Sequence, residues 1–139
     1  VGRNKGGRIM GLDMYAWKTK TEDITKDDNE HIELAYWRKH NRLHGWMGDL
    51  WESKGYPNNR DEDYQFNCIP MELNKQDLLE LRQAVKKKDM PDTMGFFFGH
   101  DSYDEGEYQK EVDKYDLKFV TDGLRAIRQG YKVVYDSWW

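Results

Sequence analysis

The spacing of hydrophobic and polar side chains divides this chain into alternating strands and helices. Side chains that alternate in character predict a strand, whereas apolar residues three, four and seven positions apart predict one stripe of a helix. By these criteria we predict strands at residues 10–19, 64–69, 94–99 and 131–139. We predict helices at residues 31–53, after Asn74, and in a segment that ends at Gly130.

The first predicted helix is unusually rich in aromatic and histidine residues. Its apolar stripe consists of Ile32, Tyr36, Leu43, Met47 and Leu50. Such a stripe faces the interior of a globular domain. We therefore assign Tyr36, Leu43 and Met47 to the core.

The other two helices have clear end signals. Asn74, with Asp77 three residues later, resembles a capping box, and Gly130 is a typical stop signal. In the third helix the predicted apolar stripe consists of Val112, Tyr115, Phe119 and Ile127.

A chain of 139 residues has the size of one domain. We expect an α+β fold in which three helices pack on a small mixed sheet of about four strands, with an α/β fold as the alternative. Residues 1–9 are basic and rich in glycine and predict a disordered extension, which leaves residues 10–139 as the globular domain. Residues 131–139 end in two tryptophans and predict an edge strand or an oligomer contact, so we expect a homo-oligomer.

The net charge of −4 argues against nucleic acid as the partner. No apolar run has the length of a membrane span, and the single cysteine, Cys68, excludes a disulfide framework. These features favour a cytoplasmic protein with no membrane association. Charge is also uneven along the chain: residues 89–116 carry nine acidic residues against two lysines, whereas residues 36–44 carry only basic charge. Packing of these two segments against each other is the simplest explanation.

Two histidines one helical turn apart, His40 and His44, have a spacing that can bind a divalent metal. The zinc protease pattern also needs a glutamate directly after the first histidine, and Asn41 stands there instead. The chain has no glycine-rich phosphate loop and no serine nucleophile elbow. We therefore predict no metal site and no cofactor.

A second candidate for chemistry is the acidic segment that follows the predicted strand at residues 94–99. Asp104 and Glu105 could act as catalytic carboxylates, or they could simply favour the positive end of the next helix. If this segment meets Arg38 and His44, the two would form a cleft with cationic, aromatic and carboxylate walls.

Three sequence segments together resemble a family of small uncharacterised proteins of bacteriophages and other mobile elements. They are MGLDMY near the start, YWRKHNRLHGW in the first predicted helix, and GFFFGHDSYDE in the acidic region. The resemblance extends from Met10 to about Ile127 and implies a mobile-element accessory protein. Among the residues that match the pattern, we take as candidate ligand-binding residues Arg38, Asn41, His44, Tyr103, Asp104 and Glu105.

The leading functional prediction is a noncatalytic accessory protein that binds a small polar ligand or a host protein through this cleft. The alternative is a hydrolase that uses His44 with Asp104 and Glu105, with or without a divalent metal. A nucleic-acid binder that uses the basic residues of the first helix ranks third.

Overall fold

A computed structural model describes residues 12–25, 31–38, 40–55, 69–91, 93–95, 99–101 and 107–138. The elements in chain order are β1 (Asp13–Thr19), β2 (Ile32–Arg38), α1 (Asn41–Ser53), β3 (Met71–Leu73), α2 (Lys75–Lys87), β4 (Thr93–Gly95), β5 (Gly99–Asp101), α3 (Glu107–Arg128) and β6 (Lys132–Trp138). The predicted extension at residues 1–9 lies outside the described residues. No helix in the described part of the chain is both long enough and apolar enough to cross a membrane.

The main sheet has four strands in the order β2, β1, β6, β3. Every neighbouring pair is antiparallel, so the sheet is antiparallel and not mixed. The α+β class with three helices and a four-stranded sheet is confirmed.

One face of the main sheet, here called the inner face, packs against the helices. It carries the buried side chains of Met14, Ala16, Trp37, Val133 and Tyr135, which form a single core with the apolar residues of the helices. The opposite face, here called the outer face, carries the alternate residues of the same strands.

The first half of the predicted long helix is a strand. Residues 32–38 pair with β1, and the helix begins only at Asn41. Ala35 and Trp37 are buried whereas Tyr36 is 41% exposed, so assigning Tyr36 to the core was wrong. Spacing alone could not separate the two structures, because a short apolar segment of this kind fits both periods. The core assignments of Leu43 and Met47 are confirmed, since both are fully buried.

Helix α2 begins and helix α3 ends where the sequence predicts. The Asn74 side chain accepts a hydrogen bond from Asp77 N–H over 2.8 Å, and the Asp77 carboxylate accepts one from Asn74 N–H over 2.9 Å. Helix α3 ends two residues before Gly130, whose φ of 92° is readily adopted by glycine. The two helices approach closely at Gly123, where an added Cβ would lie 3.0 Å from Leu78 Cδ1.

The three remaining strand predictions have different outcomes. Residues 94–99 are not one strand: Gly95 of β4 pairs with Gly99 of β5 in a separate antiparallel hairpin. Most of the predicted strand at 64–69 lies outside the described residues, and the neighbouring strand β3 begins after Pro70. The last strand, β6, lies between β1 and β3 and is therefore central in the sheet, not an edge.

Candidate functional site

The structure places the candidate residues in two separate environments. Arg38 lies on β2, where its residue partner on β1 is Asp13, and its side chain is 45% exposed. Asn41 and His44 lie in the first turns of α1 and are buried. His44 contacts Tyr135, whose strand partner Ala16 is on the inner face. Arg38 is on the outer face, so it does not share one wall with His44.

The acidic half of the predicted cleft is only partly described. Tyr103, Asp104 and Glu105 lie outside the described residues. The β4–β5 hairpin, which ends shortly before them, contacts helix α1. The chain that leads to these residues is therefore next to the helix that carries His44, and their part in a site stays a prediction.

A buried polar cluster joins β2, α1 and α3. The Asp116 carboxylate, which is fully buried, accepts a hydrogen bond from Trp37 Nε1 over 2.8 Å. Its second oxygen lies 2.7 Å from His40 Nε2. His40 is also the N-cap of α1, where its Nδ1 accepts a long hydrogen bond of 3.5 Å from the N–H of Leu43. Both ring nitrogens of His40 thus have structural partners, and the cluster stabilises the start of the helix.

This cluster joins residues 36–44 to residues 89–116 at one point, and complementary packing of the two charged segments as a whole stays a prediction. In this contact the Asp116 carboxylate bonds the indole of Trp37 and the imidazole of His40, and neither partner is a lysine or an arginine. The two arginines of the basic segment have different environments: Arg38 is exposed, whereas Arg42 is fully buried.

His44 has a different buried partner. Its Nδ1 lies 2.6 Å from the hydroxyl oxygen of Tyr135, and the two groups share one hydrogen bond. Burial lowers the pKa of His44 to about 3 and raises the pKa of Tyr135 well above its usual value. The imidazole is therefore neutral at physiological pH.

The outer face carries an exposed polar and aromatic cluster on β1 and β2. The Asp13 carboxylate accepts hydrogen bonds from the Tyr36 hydroxyl over 2.9 Å and from Arg38 Nη1 over 3.1 Å. The ring of Tyr36 lies 5.2 Å from that of Tyr15. Burial and the Asp13 carboxylate raise the pKa of Tyr36. These contacts hold Tyr36 and Arg38 in a fixed orientation toward solvent.

Tyr115 of α3 reaches the backbone of the same strand. Its hydroxyl accepts a hydrogen bond from the N–H of Tyr36 over 2.9 Å, and its ring makes an edge contact with Trp37. The prediction that Tyr115 belongs to the apolar stripe was wrong, since the residue is 41% exposed. A shallow groove of about 520 Å³ runs beside it on α3, lined by Glu111, Lys114, Tyr115, Leu117, Lys118 and Thr121.

Four side chains border the outer edge of β2, and together we call them the β2 surface. Tyr36 and Arg38 lie on the outer face, Ile32 lies opposite Lys18 and points to the other face, and Tyr115 of α3 meets the edge at the N–H of Tyr36. Sequence reasoning found Arg38 in it and missed the other three. The available signal was the alternation in residues 35–38, which places Tyr36 and Arg38 on one face if the segment is a strand.

Among the described residues, no group of three or more histidine, cysteine, aspartate or glutamate side chains could hold a metal ion. Comparison with known protein families, curated proteins and solved structures gave no match to this chain.

Proposed function

We propose that this chain is a noncatalytic accessory protein that binds a protein partner through the β2 surface. The resemblance to mobile-element proteins makes a host protein the expected partner. The alternative partner is a small polar ligand bound at Arg38, and the two experiments described below distinguish it from a protein partner.

The observation that carries the proposal is the location of exposed apolar side chains. Among the described residues, the large hydrophobic side chains with high exposure are Ile32 at 48%, Tyr36 at 41% and Tyr115 at 41%. Two lie on β2 and the third is bonded to its backbone. Single exposed apolar residues are common, but a group of them along one strand edge is typical of a binding site. Tyrosine and arginine are also the residues that contribute most to protein interfaces.

The environment of His44 supports binding over catalysis. A general base must reach the substrate and hold a pKa near the working pH. His44 is 5% exposed, and burial lowers its pKa to about 3. The hydrolase alternative stays a prediction, because Asp104 and Glu105 lie outside the described residues.

Site-specific photocrosslinking tests the proposal. A benzoylphenylalanine at position 32 or 115 should give discrete adducts with one host protein in a host extract, identified by mass spectrometry. The control is the same probe at Lys86, an exposed residue of α2. Equal adducts at all three positions, or none at 32 and 115, would contradict the proposal.

A thermal-shift screen of small polar ligands tests the alternative partner. A ligand that binds the folded state raises the melting temperature by mass action. If Arg38 holds it, Arg38→Gln should abolish the shift. The matched control is Arg125→Gln, since Arg125 bonds Asp122 over 3.2 Å at similar exposure. A shift that depends on Arg38 alone would replace the protein partner with a small ligand.

A further inference from the structure

We infer that a second copy of this chain can occupy the β2 surface, with the two β2 strands lying antiparallel. This inference rests on the surface of the proposed function and names its occupant. Its test uses the purified protein alone, whereas the proposed function is tested in a host extract, so a negative result in one test does not decide the other.

Strand β2 is the outermost described strand on its side of the sheet and is seven residues long. The strand at the opposite end of the sheet, β3, has only three residues. A long edge strand with exposed apolar side chains is a template for another strand. Pairing two such edges would extend the sheet across the dimer and leave all helices on one side.

The charges on β2 favour a second copy in one orientation. Glu33 pairs with Trp17 on β1, and Arg38 pairs with Asp13. Trp17 and Asp13 are four residues apart in one strand, so they lie on the same face. Glu33 and Arg38 therefore both lie on the outer face, although residues five apart in a regular strand point to opposite faces.

The cause is a β-bulge in β2. The register shifts between Ala16 and Trp17, whose partners are Ala35 and Glu33, so Leu34 is the extra residue. One negative and one positive side chain thus mark the two ends of the exposed edge on the same face.

An antiparallel pair related by a twofold axis brings opposite ends together. Glu33 of each copy then lies directly opposite or diagonal to Arg38 of the other copy, within reach of an ion pair. A parallel arrangement would instead place like charges side by side. Each Arg38 would bridge its own Asp13 and the Glu33 of the other copy.

Tyr115 competes with this pairing at the centre of the edge. Its hydroxyl accepts the N–H of Tyr36, a group that a neighbouring strand would bind. When the two β2 strands pair, the N–H of Tyr36 gives up its hydrogen bond to the Tyr115 hydroxyl and forms one of similar strength to a backbone carbonyl of the other copy. Removing the hydroxyl should therefore strengthen the dimer.

Sedimentation velocity on the full chain tests the inference, over concentrations from about 1 μM to about 300 μM. The wild type should show a concentration-dependent dimer. Glu33→Arg and Arg38→Glu should each weaken it about tenfold, and the double variant Glu33→Arg with Arg38→Glu should restore it to within about threefold. Tyr115→Phe should tighten it by about threefold or more.

The double variant is the internal control for folding, because it carries both substitutions. Arg125→Glu on α3 controls for net charge and should leave the dimer unchanged. A wild type that is monomeric throughout, single variants without effect, a double variant that stays weak, or a Tyr115→Phe dimer no tighter than wild type would each overturn the inference. A host-protein adduct at position 32 would still support the proposed function in those cases.

Discussion

The indole Nε1 of Trp37 donates a hydrogen bond to Asp116 Oδ1 over 2.8 Å, and this bond joins strand β2 to the middle of helix α3. The two residues are 79 positions apart in the chain. Both are buried, and the same carboxylate also holds His40, the N-cap of α1. A single acidic side chain therefore fixes the start of one helix, the middle of another and a strand relative to each other.

Asp116→Asn should destabilise the fold by about 3 kcal/mol, since an amide cannot accept both hydrogen bonds through equivalent oxygens and one buried donor loses its partner. Urea denaturation would measure the free energy of unfolding. The matched control is Asp122→Asn on the same helix, whose bonds to Lys118 and Arg125 are at the surface. That change should cost less than about 1 kcal/mol. Equal losses for the two variants would show that the buried cluster contributes no special stability.

His44 should make the fold sensitive to acid. Burial lowers the pKa of His44 in the folded state to about 3, against an ordinary value of 6.5. Below pH 6.5 the unfolded chain takes up a proton that the folded chain does not, so stability is complete above pH 6.5 and is lost as the pH falls toward 3. The slope from this residue is roughly 1 kcal/mol per pH unit.

The measurement is the free energy of unfolding against pH for the wild type and for His44→Gln. The variant lacks the titrating group, so its curve should be flatter by that slope between pH 6 and 4, while the carboxylates contribute equally to both. Parallel curves for the two proteins would mean that the His44 ring takes up its proton in the folded state.

Tyr135→Phe removes the hydroxyl that lies 2.6 Å from His44 Nδ1. The buried imidazole then loses this hydrogen bond, and we expect a loss of about 2 kcal/mol in the free energy of unfolding measured by chemical denaturation. Tyr131→Phe is the control, because Tyr131 is partly exposed and packs under Lys18 and Lys20 through its ring. It should change stability by less than about 0.5 kcal/mol. Similar values for the two tyrosines would contradict the assigned role of the buried hydroxyl.

Gly123→Ala should destabilise the fold although alanine favours a helix by about 1 kcal/mol over glycine. The new Cβ would lie 3.0 Å from Cδ1 of Leu78, which is fully buried and has little room to move. Overpacking of this kind costs about 1 to 3 kcal/mol, so a net loss of about 1 kcal/mol is expected. Thr121→Ala, on the exposed side of the helix, should instead stabilise it by about 0.5 kcal/mol. A melting temperature for Gly123→Ala above wild type would show that the helices can separate at no cost.

The sequence predicted the elements whose signals are local. The Asn74 cap, the Gly130 stop and the last strand at residues 132–138 were found because their signals lie within a few positions of the element. The α+β class followed from these elements. The same reasoning failed for residues 32–38, where the spacing fits a helix and the structure has a strand.

In the candidate site, too, the sequence identified residues but not their arrangement in space. Sequence reasoning selected Arg38, Asn41 and His44 as one group by residue type and by the family resemblance of the segment that contains them. In the structure the chain turns from strand to helix between Arg38 and Asn41, which separates an exposed guanidinium on the outer face from two buried side chains on the inner side. Residue type suggested chemistry for His44, and only its burial revealed a neutral structural role.

Taken by itself, the sequence determined the α+β class, the start of α2, the end of α3, and the burial of Leu43 and Met47. The tertiary structure decided that residues 32–38 form a strand, that β6 is central, and that Trp37, His40 and Asp116 meet. The physical reason is the range of the interactions. Caps and apolar stripes are set by neighbours a few residues away, whereas strand pairing and the Asp116 cluster join separate segments of the chain, such as Trp37 and Asp116, 79 positions apart. No local pattern specifies such partners.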